Sequence, residues 1–209
     1  MPCAHLIYNF GTPKAASVVL SHANWSEEMQ NERRSLLKML LSAIPAAAVG
    51  KLAPAQTVSS GVKVAAGQDR FNKSRSIGVS STTFKVATPD TAGALFVMEQ
   101  ANTKPGGPPR HLHHNEDEFW YVLAGEYIIE VDSDQCRAQP GDCVLGPRNI
   151  PHVWAFVGES PGRLLIAFTP AGKMQEWFER DRKKGEYISD TALYHAFGME
   201  LLGPPLSLK

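Results

Sequence analysis

Two histidines separated by a single residue, His111 and His113, open a region of short apolar segments. In a β-strand, side chains alternate between the two faces, so these imidazoles point the same way and His114 points the other way. Glu118 begins the next apolar segment, and His152 begins a later one, after a proline-bounded loop. Three imidazoles and one carboxylate at these spacings suit one mononuclear metal site.

The donor atoms restrict which ion such a site prefers. Imidazole nitrogen with carboxylate oxygen favours one divalent transition metal ion, namely Fe, Mn, Ni, Co, Cu or Zn, over Ca or Mg. No cysteine belongs to the group, so a cysteine-rich structural zinc site is not indicated. Glu118 ends an acidic run, and such runs are usually solvated, so the alternative is three histidines with water. We expect His114 at the rim and interpret His195 as a surface or packing histidine.

The surrounding sequence alternates short apolar segments with turns rich in Gly, Pro and Asp, a pattern that predicts β-strands. Besides the histidine strand, the candidates are Ser80–Ala87, Ala94–Ala101, Glu118–Leu123, Glu126–Val131, Cys143–Leu145, His152–Val157 and Arg163–Phe168. Further on, 173–184 carries Met174, Trp177 and Phe178 at helical spacing, which predicts an amphipathic helix packed on the strands. We interpret this stripe as core rather than as a cofactor contact.

These residues resemble the cupin family. The family's first motif has a glycine, a His-x-His pair, a glutamate and a second glycine, and His111, His113, Glu118 and Gly125 match its spacing, while Gly106 lies one residue too close to His111. The second motif is matched by Gly141, Pro147 and His152. Asn149 replaces its middle glycine, a mild change because Asn tolerates a left-handed backbone, and Phe156 replaces its final asparagine.

The resemblance covers about 83–169 and implies an all-β fold, a jelly-roll antiparallel β-barrel. It implies metal ligation by His111, His113, Glu118 and His152. The domain expectation is a 56–82 arm, an 83–169 barrel and a 170–209 helix and tail. The apolar tail either covers a barrel mouth or forms a dimer seam, and we expect a homodimer.

Within the cupins, the segments 116–125 and 146–154 are most similar to quercetin 2,3-dioxygenase-like proteins. That resemblance implies a dioxygenase that uses O2 on an aromatic or enolisable small molecule, with Glu118 as both ligand and general base. Bulky inward residues favour a planar apolar ligand; they are Trp120, Trp154, Phe156 and Phe168. Because cupins of one site type host several chemistries, a non-catalytic binding cupin and a metal-dependent lyase or isomerase stay open.

The N-terminal part resembles a twin-arginine export signal. Arg33 and Arg34 precede a short apolar run and the Ala53-Pro-Ala55 cleavage pattern, so 29–55 is expected to be removed and the protein to be periplasmic or secreted. We expect translation to start at Met29, with 1–28 as an upstream extension. The apolar run is too short to span a membrane, since a span needs about 20 residues.

Charge and cysteine content restrict the partners and the redox chemistry. Lys and Arg number 21, Asp and Glu also number 21, and no basic stripe is present, so nucleic acid is a poor candidate partner. Cys136 and Cys143 flank a turn. They are expected either to face each other across a hairpin or, the preferred interpretation, to be two separate buried thiols.

Overall fold

The computed structural model describes residues 61–159, 161–180 and 187–208. The predictions for 1–28 and 29–55, and the first residues of the 56–82 arm, lie outside this range. Two antiparallel sheets face each other as a jelly roll, with few helices, which confirms the predicted fold class. In the described part of the chain, no helix has the length and apolar character required to cross a bilayer.

The first sheet has the strand order β1-β2-β3-β10-β5-β8. Its strands are β1 (Arg75–Ile77), β2 (Ser80–Val86), β3 (Phe96–Asn102), β10 (Gly162–Thr169), β5 (Asp117–Ala124) and β8 (Cys143–Gly146). The second sheet has the order β11-β4-β9-β6-β7. Its strands are β11 (Met199–Gly203), β4 (Arg110–His113), β9 (His152–Phe156), β6 (Tyr127–Val131) and β7 (Asp134–Ala138). The sheets extend beyond the predicted 83–169 barrel on both sides.

Alternation along the strands builds the core between the sheets. On β10, Leu164, Ile166 and Phe168 are buried while the residues between them are more exposed. They pack with apolar side chains from both sheets, chiefly Phe84, Phe96, Met98, Trp120, Val122, Ile129, Trp154 and Phe156. Burying aromatic and branched side chains contributes roughly 1.5–3 kcal/mol for each residue, so this core is the main source of stability.

The chain after β10 adds two short helices, α1 (Met174–Glu179) and α2 (Thr191–Ala196). The helix predicted for 173–184 is present as α1, although 181–186 lie outside the described residues. Asp190 caps α2, since its Oδ1 accepts hydrogen bonds from the backbone N–H groups of Ala192 and Leu193. The strand β11 then pairs with β4, so the C-terminal tail reaches the histidine strand.

The two cysteines do not oppose each other. Cys136 lies on β7 in the second sheet, and Cys143 lies on β8 in the first, so the turn between them joins strands of different sheets. They are not bonded to one another, which excludes the hairpin pairing. Cys136 is buried as expected, whereas Cys143 is exposed because it sits on the outer face of an edge strand.

Candidate metal centre

Three strands bring the four predicted ligands together between the sheets. His111 and His113 project from one face of β4, His152 starts β9, and Glu118 is the second residue of β5. All four are buried, and their ligand atoms lie within 4.8 Å of one another. The register explains the meeting, because His111 pairs directly with His152 across the second sheet. Glu118 enters from the opposite sheet.

The loop before His152 is fixed to its neighbours on both sides. Asn149 has a left-handed φ of 62°, and its N–H donates to the carbonyl oxygen of His113 at 2.7 Å. This is the position where Asn replaces a glycine, and it adopts the conformation expected there. Arg148 donates hydrogen bonds to the carboxylate of Asp117 from its backbone and its guanidinium, which ties the loop to the start of β5. The loop therefore delivers His152 in a defined place.

Backbone carbonyls set the orientation of two imidazole rings. Nδ1 of His111 lies 2.8 Å from the carbonyl oxygen of Pro109, and Nδ1 of His152 lies 3.0 Å from that of Ile150. A carbonyl can only accept, so each Nδ1 carries the proton and each Nε2 keeps its lone pair. At the centre, Oε2 of Glu118 lies 3.1 Å from Nε2 of His152 and 3.3 Å from Nε2 of His113.

A second buried carboxylate lies behind His113. Glu116 is 2% exposed, and its Oε2 is 3.6 Å from Nδ1 of His113, on the side of the ring away from Glu118. Sequence reasoning placed Glu116 in a solvated acidic run and gave it no role. Spacing gave no signal for it, because the residue is buried by the turn between β4 and β5 and not by strand alternation.

Burial and neighbouring charges shift the pKa values of the cluster. Burial, reinforced by His152 and His113, lowers the pKa of His111 to about 3, so its imidazole is neutral. Burial alone would raise the pKa of Glu118, but contacts with His113 and His152 outweigh it and lower that pKa. Burial also works to lower the pKa of His113, yet Glu116 and Glu118 raise it. The two carboxylates thus favour positive charge at this point.

The residues fit a metal ion. Among the described residues, Nε2 of His113, Nε2 of His152 and Oε2 of Glu118 are buried and have no hydrogen-bond partner. Buried polar atoms are normally satisfied, and a shared cation satisfies all three. His114 is exposed on the other face, with Nδ1 3.2 Å from Oδ1 of Asn149, as expected for a rim residue. His195 is exposed on α2.

A cavity of about 40 Å³ opens beside the cluster. Its walls include Trp154 and Phe168, two of the four predicted pocket residues, but not Trp120 or Phe156. Trp120 is fully buried and packs edge-on against the ring of His152, with centroids 5.2 Å apart. Phe156 packs against Tyr127. Both side chains are buried in the core, as strand alternation predicts, but they lie at levels of the barrel outside the cavity wall.

The C-terminal segments supply cavity walls that strand patterns did not predict. Met174, Trp177 and Phe178 of α1 line the cavity, so the helical stripe is core and wall together. Tyr194 of α2 lies with its ring 6.0 Å from that of His111, and Met199 of β11 is also a lining residue. The tail therefore covers the cavity beside the histidines.

Comparison with known proteins places this site in a family. Residues 100–168, which contain all four candidate ligands, match the family model described as Cupin domain. This part of the chain thus matches a cupin domain, in agreement with the jelly-roll arrangement of its strands. It carries a buried group of three histidines and one glutamate that could hold a metal ion.

Individual relatives are more distant. Protein SchB of Streptomyces halstedii is 32% identical over 85 residues, which cover 40% of this chain and 62% of SchB. Uncharacterized protein MJ1618 of Methanocaldococcus jannaschii is 27% identical over 60 residues, covering 29% and 48%. The chain therefore spans less than two thirds of either relative. An RmlC-like cupin from Shewanella frigidimarina is 22% identical with a TM-score of 0.42, covering 49% of this chain and 87% of that one.

Proposed function

We propose that the protein is a mononuclear metal-dependent dioxygenase acting on a small aromatic or enolisable molecule, with chemistry like that of the quercetin 2,3-dioxygenases. The carrying observation is the position of Glu118, whose ionised carboxylate lies between two imidazoles and also lines the apolar cavity. A base in that position can take a proton from a hydroxyl group that enters the cavity.

The bound ion would supply Lewis acidity and a coordination position for the substrate oxygen. His111, His113 and His152 would hold the ion through Nε2, with the two Nδ1–H groups on backbone carbonyls keeping the rings fixed. Glu118 would complete the ligand group, and its carboxylate would accept the hydroxyl proton of the substrate when the substrate oxygen binds. The apolar walls exclude water, which protects the resulting enolate from reprotonation by solvent.

The cavity supports a compact, uncharged substrate. A volume of about 40 Å³ corresponds to the space of a few water molecules, so a single ring fits better than a three-ring flavonol. Apart from the cluster, the part of the wall that the described residues form consists mostly of apolar and aromatic side chains. A lyase or isomerase acting on a small acid would have to bind the carboxylate of its substrate to the metal ion itself, because the mostly apolar wall favours an uncharged substrate.

The test is O2 consumption by the metal-loaded protein. Protein loaded separately with each candidate ion would be given quercetin, kojic acid, acetylacetone and catechol in an oxygen electrode, with free metal salts as blanks. We expect O2 uptake with a one-ring or acyclic enol, lost in Glu118→Gln although the metal is retained. Full metal occupancy and ligand binding without O2 uptake would contradict the proposal and favour a binding cupin.

Export and self-association are further proposals. We infer from Arg33 and Arg34 that the chain is exported to the periplasm, and from the apolar tail that it forms a homodimer. Cell fractionation of an Arg33→Lys, Arg34→Lys double variant checks the first proposal, with cytoplasmic retention as the expected result. Light scattering of the purified protein checks the second, and a monomer mass would contradict it.

A further inference from the structure

Gln100 on β3 is a buried polar residue that the proposed chemistry does not use. It is 3% exposed, lines the cavity, and its carboxamide oxygen Oε1 has no hydrogen-bond partner among the described residues. Its Cα partner on β2, Thr82, leaves its own hydroxyl equally unpaired, so the neighbouring strand does not satisfy the carboxamide. An unsatisfied buried amide costs roughly 1–3 kcal/mol, which calls for a compensating role.

Apart from the hydroxyl of Thr82, three other polar side chains of this region, those of Ser80, Asn102 and Tyr187, have hydrogen-bond partners. Oγ of Ser80 accepts a hydrogen bond from Nδ2 of Asn102 at 2.7 Å, and Oδ1 of Asn102 accepts one from the hydroxyl of Tyr127 at 3.0 Å. The hydroxyl oxygen of Tyr187 accepts one from the N–H of Val79 at 3.3 Å. Gln100 therefore differs from these neighbours, because its Oε1 is an unused hydrogen-bond acceptor in the cavity wall.

The register of β10 places Gln100 well away from the metal centre. Phe168 pairs with Glu118, whereas Leu164 pairs with Gln100, so the two levels differ by four residues. That offset is about 13 Å along the strand at roughly 3.3 Å per residue. Ile166 and Met98, which pair with each other at the intermediate level, present apolar surface to the same cavity.

We propose that Gln100 is the specificity-determining residue that binds a hydroxyl group at the end of the ligand remote from the metal centre. A hydroxyl both donates and accepts, so it satisfies the carboxamide whichever way the amide is turned. The ligand class is then a compact enolisable or phenolic ring with a metal-binding oxygen at one end and a hydroxyl at the other. This inference rests on the proposed metal centre and deepens the proposed function.

Two hydroxypyranones test the inference directly. Kojic acid and allomaltol offer the same metal-binding hydroxyketone, but kojic acid carries a hydroxymethyl group where allomaltol carries a methyl group. Affinities would be measured by calorimetry with the zinc-loaded protein, so that the result does not depend on O2 chemistry. We expect the wild type to bind kojic acid about tenfold more tightly, the size of one hydrogen bond to a buried acceptor.

The variant Gln100→Leu should bind the two pyranones equally, and Gln100→Met, closer in shape, should do the same. Gln135→Leu is the matched control, because Gln135 is an exposed glutamine on β7, and it should keep the preference. A preference retained in Gln100→Leu would overturn the inference. Failure of the wild type to bind either pyranone would overturn it together with the ligand class.

Thermal unfolding separates recognition from a structural role. Replacing an unsatisfied buried amide by an apolar side chain leaves stability unchanged or raises it, so the Tm of Gln100→Leu should not fall. A Tm lowered by several degrees would overturn the inference and make Gln100 a structural residue. If the zinc-loaded protein shows the expected preference but no metal form consumes O2, the inference on Gln100 stands and the dioxygenase proposal fails.

Discussion

Oε2 of Glu116 lies 3.6 Å from Nδ1 of His113, and both side chains are almost completely buried. Because Nδ1 of His113 faces Glu116, Nε2 on the other side of the ring faces Glu118 and the candidate metal centre. Metal-binding histidines commonly donate their second N–H to a carboxylate, which fixes the tautomer and raises the basicity of the ligand nitrogen. Glu116 lies beside Nδ1 of His113 as a charge, since 3.6 Å is longer than a hydrogen bond and neither atom has a hydrogen-bond partner among the described residues.

Replacing Glu116 by Gln should lower metal affinity by about 10- to 100-fold, because the neutral amide no longer stabilises the imidazole of His113. Competition with a chromophoric chelator measures the change. Glu176→Gln is the matched control, since Glu176 is an exposed glutamate on α1, and its affinity should equal that of the wild type. If both variants bind metal with the same affinity, Glu116 does not contribute to metal binding.

A substitution at Gly172 tests the contact between Glu116 and His113, because Gly172 packs against the carboxylate of Glu116. It has a left-handed φ of 48°, and a Cβ added there would overlap with Oε1 of Glu116. We expect Gly172→Ala to displace the carboxylate and to weaken metal binding in the same direction as Glu116→Gln. The strained backbone should also cost about 1 kcal/mol of folding stability. Urea unfolding and the chelator assay report the two effects separately, and unchanged metal affinity would argue against the contact.

His152 supplies the predicted ligand from the second cupin motif. His152→Ala should lose bound metal on dialysis, because only His111, His113 and Glu118 then remain. The control is His114→Ala, which removes an exposed histidine on the opposite face and should keep a full metal content. Elemental analysis after dialysis distinguishes the two. Metal retained at neutral pH by His152→Ala would show that the fourth ligand lies elsewhere.

The lowered pKa of Asp69 gives a prediction of how folding stability depends on pH. Its carboxylate accepts hydrogen bonds from the N–H groups of Phe71, Lys73 and Phe84 and pairs with Arg75 at 2.5 Å. Burial alone would raise the pKa of Asp69, but these hydrogen bonds and Arg75 outweigh it and lower the pKa. The stabilisation is therefore complete above the unfolded pKa of about 3.9 and is lost as pH falls through the lower folded value.

Asp69→Asn should then reduce the free energy of unfolding by about 2 kcal/mol at neutral pH, since a charged acceptor of several hydrogen bonds is replaced. The difference from wild type should shrink as pH falls below about 4. Urea unfolding at neutral and acid pH measures both values. Asp134→Asn, on the exposed edge of β7, should change neither. A difference that is the same at both pH values would exclude the linkage.

Much of the fold and of the candidate ligand group could be predicted from the sequence. Strand alternation placed His111 and His113 on one face and His114 on the other, and motif spacing selected Glu118 over its acidic neighbours. These features are local, since each depends only on strand periodicity or on a short loop. Three strands were missed: β1 spans only Arg75–Ile77, β7 has mostly exposed residues, and β11 follows a helix in a Gly- and Pro-rich tail.

Features that depend on three-dimensional contacts could not be predicted. Glu116 is buried by a turn, and Tyr194 reaches the cavity because α2 folds back over β4. Trp120 and Phe156 point inward as alternation requires, yet their levels along the barrel place them outside the cavity wall. The level of a side chain along the barrel depends on the register between strands that are distant in sequence. The pattern within a single strand carries no information about that register.

His111, His113 and His152 belong to one sheet and Glu118 belongs to the other. A bound ion would therefore act as a crosslink between the two sheets, in addition to side-chain packing and the hydrogen bond from Tyr127 to Asn102. A metal ion that binds the folded state and not the unfolded state adds about 4 kcal/mol to the free energy of unfolding when its free concentration is a thousand times its Kd. A chelator should then behave as a denaturant for this domain, and the melting temperature becomes a direct gauge of how completely the crosslink is formed.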